Sequence, residues 1–326
     1  MLVHESAMAT EQLMTSRLLV DTAHSKAFDD YLALYKSRRR ALLLIMHLNQ
    51  LSRAVQRHRG MSLALLAGSD LFHGDFEHLQ RQLQCRLAFL VALCSEEGSP
   101  LGPRDQNNLL DAWDTIRSGF QDDDVIDNFE LHSHFIDQLQ TLSSSLAREL
   151  EKPVSVVVAQ THKLEVSEPP SSSEYPRLFQ QIEIIAFSAQ QAPTMVEQIA
   201  RIRGLATFAA AKKECDYHHD RKLRYAISCA RAANEKLRHH AERLETVLDR
   251  GVSSLSLIKA YELKLMFLLN MVESDILSGG PISANSHQLF KLATEIIDMY
   301  LKVVDEAFGL LGTWMDEDLE RWIMTA

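Results

Sequence analysis

Glycine and proline are scarce, 12 and 8 in 326 residues. A chain with so few breakers has little material for tight hairpins or glycine-rich phosphate loops. Cysteine is also scarce. Cys85, Cys94, Cys215 and Cys229 form no C-x-x-C pair, so neither a zinc knuckle nor a disulfide framework is legible, and they read as reduced structural thiols of a cytosolic protein. Long hydrophobic runs are missing: the longest compact one, residues 41–46, is far too short to span a bilayer. The N-terminus MLVHESAMATEQLM is polar and acidic where a signal peptide needs an apolar segment. There is no nucleophile elbow, no H-E-x-x-H and no Walker loop, so no residue pattern supports an enzyme or asks for a cofactor. Positive charge is in deficit, 34 Lys and Arg against 44 Asp and Glu. A net charge of −10 disfavours nucleic acid and anionic membrane as partners.

What the chain does have is apolar residues, 46% of the total, spaced at a helical period. Ile258, Tyr261, Leu265, Leu268 and Val272 follow 3-4-3-4 spacing, as do Leu289, Leu292, Ile296, Met299 and Val303. The spacing predicts eight helices, over 27–68, 71–96, 104–120, 126–150, 177–212, 215–249, 252–279 and 285–314. Pro193 falls inside the fifth and should kink it or start a new turn there. The only strand-like text is Val154 to Val158. Four helices precede a Pro/Ser-rich stretch and four follow it. The expected fold is all-α: two antiparallel four-helix bundles related by an internal repeat, with long first and fifth helices. The expected boundaries are an N-terminal tail over 1–26, a first bundle over 27–162, a linker over 163–176, a second bundle over 177–314 and a C-terminal tail over 315–326.

The repeat rests on two segments, QRHRGMSLALLAGS and ARIRGLATFAAAKK. Arg59-Gly60 and Arg203-Gly204 stand 144 positions apart, and at the same offset Arg57 pairs with Arg201, Ala67 with Ala211, Leu79 with Leu223 and Cys85 with Cys229. Arg59 shares a helix face with Leu63 and Leu66, and Arg203 shares one with Thr207 and Ala210. Each arginine therefore projects from a largely apolar stripe. A single helical arginine is ordinarily solvated or paired with a carboxylate. Two at matched positions, brought face to face, would repel unless an anion sat between them. Arg201 has Glu197 one turn before it as a partner, whereas Arg57 has Arg53 there. Glycine inside a helix costs about 0.5–1 kcal/mol against alanine, so two at equivalent positions suggest close approach of a backbone or a ligand.

At these segments, RGMS at 59–62 and RGLAT at 203–207, the chain resembles the nitrate- and nitrite-sensing (NIT) domain family, over roughly residues 36–312. The resemblance implies a ligand-binding domain of two helical bundles with nitrate or nitrite held between them. Arg59 and Arg203 match the family's anion-binding arginines. Arg57 and Arg201 are weaker candidates, and Ser62 and Thr207 are the hydroxyls that follow each step. It implies a cytoplasmic regulator in signal transduction and transcription, passing its signal to a separate protein partner; a homodimer is a further possible partnership. The family's nitrate regulatory members continue into an RNA-binding antiterminator domain. Here the text ends at Ala326 after the acidic WMDEDLERWIMTA, so RNA binding is not expected. The rival reading is a helical adaptor that binds another protein and no anion. The histidine pairs His218-His219 and His239-His240 are not expected to bind a metal, because adjacent helical residues point about 100° apart.

Overall fold

The computed structural model describes residues 2–69, 72–95, 99–151, 175–248 and 251–325. Among them the chain is all helical and holds no strand. The helices are α1 (Leu2–Leu66), α2 (His73–Cys94), α3 (Pro103–Arg117), α4 (Val125–Glu151), α5, α6 (Tyr217–Val247), α7 (Leu257–Asp275) and α8 (Ser286–Thr325). The fifth, α5, runs through three consecutive pieces: Tyr175–Ala186, a π turn over Phe187–Gln191, and Ala192–Lys212. Val154 to Val158 and the expected linker as far as Glu174 lie outside the described residues.

Two expected tails are helix instead. The first helix begins at Leu2 rather than near 27, and the last carries on to Thr325 rather than stopping near 314. Both segments are free of glycine and proline and rich in Leu, Met, Glu and Ala, so nothing in them ends a helix. The C-terminal extension is also tied down. Tyr35 donates its hydroxyl proton to Asp316 at 2.6 Å, and Arg177 pairs with Glu317.

The break expected at Pro193 takes the form of the π turn just before it. Proline has no N–H to give the carbonyl one turn back, and its ring crowds that carbonyl. A wider turn relieves both, and Gln140 of α4 donates its side-chain N–H to the Pro193 carbonyl oxygen from outside the helix.

Helix ends follow local chemistry. Gly68, at φ +81°, closes α1, and Ser69 N–H reaches back to the Ala64 carbonyl in a Schellman-like cap. Lys213 closes α5 in the left-handed region at φ 59°. Asp216 then caps α6 by accepting the His219 N–H at 2.9 Å. Pro103 occupies the first turn of α3, where its missing donor costs nothing.

Packing centres on two helices. α1 packs against α2, α4, α5 and α8; α5 packs against α1, α6 and α8; α3 lies on α4, and α7 on α8. One continuous set of buried apolar side chains runs through all of them, from Leu44, Ile45 and Leu48 in α1 to Tyr300, Val303 and Phe308 in α8. The Arg-Gly segments of α1 and α5 lie at the middle of this core.

Candidate functional site

Arg59 is the largest side chain in the described residues to be wholly buried. A guanidinium there needs partners for its charge and its donors. Its Nη1 donates to Glu197 Oε1 at 2.8 Å and to Ser133 Oγ at 2.9 Å, and its Nη2 donates to Glu197 Oε2 at 3.1 Å. Its plane lies over Phe129, 5.0 Å from the ring centre. Ser133 is fixed in turn, donating to the Phe129 carbonyl one turn back.

Arg203 sits in a seat of the same plan. It is 3% exposed. Its guanidinium lies over Phe290 at 4.8 Å, and Nη1 donates to Thr294 Oγ1 at 2.9 Å. Thr294, like Ser133, donates to the carbonyl of the phenylalanine four residues before it. Phe129–Ser133 of α4 and Phe290–Thr294 of α8 are thus the same phenylalanine-hydroxyl spacing, each opposite an Arg-Gly step.

The two seats differ in one respect, the counter-charge. Arg59 has Glu197. Arg203 has no carboxylate within ion-pair distance among the described residues. At the 144-residue offset of the two sequence segments the position matching Glu197 is Arg53, which engages Asp298 at 2.6 Å on the surface. Burial first, and the nearby charge of Arg59 second, push the Arg203 guanidinium down to about 9. Among the described residues its Nε has no hydrogen-bond partner, nor does Arg59 Nε, nor the wholly buried hydroxyl of Thr207 one turn beyond Arg203.

Glu197 is the hub of the network. Besides Arg59 it accepts from Arg201 Nε at 2.6 Å and from Gln56 Nε2 at 3.0 Å. Burial by itself would push its carboxyl up, but Arg59 and Arg201 overcome this and hold it below the usual carboxylate range. Arg201 also reaches Asp137 of α4 at 3.3 Å, which carries the network to the surface.

The glycines explain how α1 and α5 come so close. A Cβ built on Gly204 would stand 3.1 Å from Leu63 Cδ1 and 3.9 Å from the Gly60 Cα. One on Gly60 would stand 2.9 Å from Phe290 Cε2 and 3.5 Å from Arg203 Nε. The approach expected from the sequence is of backbone and ring together.

The remaining expected residues divide. Ser62 is buried, but its hydroxyl lies 2.8 Å from Asn128 Oδ1 and 3.0 Å from the Arg59 carbonyl oxygen, so it ties α1 to α4. Arg57 is exposed on another face of α1 and does not join the site. Arg201 is half-buried and joins it only through Glu197.

Sequence reasoning assigned Glu197 to Arg201 alone and missed its bond to Arg59. It also missed the pairs Phe129/Ser133 and Phe290/Thr294. The signal available for Glu197 was a charge reversal, Glu against Arg53, at matched positions of the repeat.

Beside the site lies a buried imidazole pair. His132 Nδ1 is 2.7 Å from the Asn128 carbonyl, and His58 Nδ1 is 2.7 Å from His132 Nε2. This arrangement gives both rings a neutral tautomer, with His58 donating to His132 and His132 to Asn128. Burial pushes His58 well below its ordinary value and His132 down to about 3.

Two cavities open elsewhere. One of about 290 Å³ lies where α1 and α5 end, lined by Gly68, Ser69, Ala211 and Lys213. A groove of about 620 Å³ lies between α3 and α4, lined by Asp105, His134 and Asp137. Neither is lined by Arg59 or Arg203. Among the described residues no three His, Cys, Asp or Glu gather as metal ligands, and no helix is long and apolar enough to cross a membrane. No protein-family model, curated protein or solved structure matches the chain.

Proposed function

We propose that this protein is a nitrate- and nitrite-responsive sensor in which one small anion is held between the Arg-Gly steps of α1 and α5. The observation that carries this reading is Arg203, a buried guanidinium over an aromatic face with one hydroxyl partner and, among the described residues, no carboxylate. Guanidinium is a planar fork that matches planar oxyanions, and a buried cation with free donors is stabilised most by an anion of its own. Arg59 Nε, Arg203 Nε and the Thr207 hydroxyl are the chain's candidate donors to that anion. We take α1–α4 and α5–α8 as two bundles of a duplicated unit, with the anion drawing the central helices together and a separate regulatory protein reading the change. A ligand that binds one arrangement better than another shifts the population by its difference in affinity.

The test is thermal unfolding of the full chain in matched nitrate, nitrite and chloride. At a hundredfold excess over Kd, the ligand contributes about 2.7 kcal/mol. In a domain of this size that raises Tm by about 2–4 °C. Arg203→Ala abolishes the shift. Midpoints equal to those in chloride for both anions would reject the sensor.

One observation favours the adaptor reading. α7 exposes Leu263 and Phe267, one turn apart, at 74% and 62%. An apolar stripe of this kind on an outer helix suits a protein partner. The two readings part on the anion titration alone.

A further inference from the structure

The charges around the arginine pair do not cancel. Arg59, Arg201 and Arg203 supply three positive charges. Glu197 and Asp137 supply two negative ones, through contacts of 2.6–3.3 Å. Other charged groups nearby are already matched or lie in solvent: Arg53 pairs with Asp298 on the surface, Arg57 is exposed, and the imidazoles of His58 and His132 are neutral. One negative charge is missing, and the cation that lacks it is Arg203. A buried group of charges is tolerated in proportion to how nearly it sums to zero. One monovalent anion brings the sum to zero; a divalent one overshoots by a full charge.

Building on the anion-sensor reading, we propose that Glu197 is the specificity-determining residue of this site: its carboxylate, fixed on Arg59 and Arg201, sets the charge of the accepted ligand to one and rejects divalent oxyanions such as sulfate. Two arginines facing each other without Glu197 would form a general oxyanion clamp, and a sulfate carrying two charges would outcompete nitrate in it. With Glu197 in place, one of the two charges is already answered from inside the fold. Four hydrogen bonds hold that carboxylate, two from Arg59 and one each from Arg201 and Gln56, so it keeps its position while the ligand exchanges. At separations of a few ångströms inside a protein, one added or removed charge outweighs a shape difference between two oxyanions. Asp137 acts in the same direction from the rim, more weakly, because its side chain is 56% exposed and screened.

The experiment is isothermal titration calorimetry on the full chain at low ionic strength, with sodium nitrate and sodium sulfate as separate titrants. The proteins are the wild type, Glu197→Gln and Asp137→Asn, each checked for native helix content by circular dichroism. The wild type binds nitrate more tightly than sulfate. Glu197→Gln shifts the ratio of the two dissociation constants toward sulfate by at least about tenfold, since the amide keeps the shape and removes the charge. Asp137→Asn, a surface change that leaves the core untouched, shifts the ratio the same way by a smaller factor. If Glu197→Gln does not fold, Asp137→Asn carries the test. Nitrate binding by the wild type with an unchanged nitrate-to-sulfate ratio in the folded variants overturns the role of Glu197 and leaves the sensor reading standing. Wild type that binds neither anion overturns the sensor reading, and this proposal with it.

Discussion

Gly60 and Gly204 lie back to back where α1 crosses α5, close enough that a methyl group on Gly204 would stand 3.9 Å from the Gly60 Cα. The two positions are not equally tolerant. On Gly204 the one tight contact of the added carbon is the end of Leu63, at 3.1 Å, and a small shift of that side chain relieves it. Helix propensity gains about 0.5–1 kcal/mol for the same change. Gly204→Ala is therefore near neutral, within about 0.5 kcal/mol. On Gly60 the carbon meets the Phe290 ring at 2.9 Å, and that ring supports Arg203. Gly60→Ala costs about 1–2 kcal/mol after the propensity gain, as overpacking of a rigid core does. Urea unfolding of both variants checks the difference; equal costs would contradict the packing described.

The two arginines should respond oppositely to removal of their charge in the absence of ligand. Arg59→Met strips Glu197 of two of its bonds and leaves a buried carboxylate dependent on Arg201 and Gln56. It destabilises by about 3 kcal/mol. Arg203→Met removes a buried cation that pairs with no carboxylate among the described residues and replaces it with an apolar chain of similar length over Phe290. It stabilises by about 1–3 kcal/mol. Chemical denaturation in ligand-free buffer of low anion affinity measures both, and two changes of the same sign would refute the asymmetry between the seats.

Mild acid should weaken the fold through His58 and His132. Both are held neutral in the folded chain, far below the value near 6.5 that they regain when unfolded. Below pH 6.5 the unfolded chain therefore binds more protons than the folded one, so stability falls as pH falls. The fall continues to about pH 3 for His132. With two such groups the loss between pH 7.5 and 5.0 is about 4 kcal/mol. The Glu197 carboxylate, whose folded value is lowered, contributes stability above the ordinary carboxylate range and loses it only at lower pH, outside this window. Urea midpoints at the two pH values decide it, and a flat profile would mean that the pair is not buried and neutral.

The helical map was legible because apolar period and the scarcity of breakers act locally. Ile258 to Val272 and Leu289 to Val303 could hardly be anything but helix faces. The disturbance at Pro193 was legible for the same reason, since a missing N–H is a property of one residue. The helix ends were less so: nothing in residues 2–26 or 315–325 stops a helix, yet neither segment carries the regular 3-4-3-4 apolar stripe of Ile258 to Val272 and Leu289 to Val303.

The arginines were legible because the Arg-Gly step occurs twice in the sequence, in matching apolar segments. Their surroundings were not. Glu197 reads as an ordinary i, i+4 partner of Arg201, and its bond to Arg59 depends on the angle at which α5 crosses α1. Phe129 and Ser133 lie 70 and 74 positions from Arg59, and only the chain's return through α4 brings them beneath it. Long-range partners of this kind leave no periodic trace.

The wide turn at Phe187–Gln191 bears on where Arg203 aims. A helix is a screw, and one extra residue in its thread turns everything beyond it by about 100°. A π turn takes up such a residue in place, so the thread on either side keeps its own phase. Upstream, Ile184 and Ile185 lock the first piece of α5 into the core; downstream, Ile199, Ile202 and Arg203 lock the second. The bearing of the guanidinium is fixed by a count of residues more than ten positions away. Remove one between 187 and 191, and the helix could wind evenly only by swinging Arg203 a quarter-turn off Phe290 and Thr294.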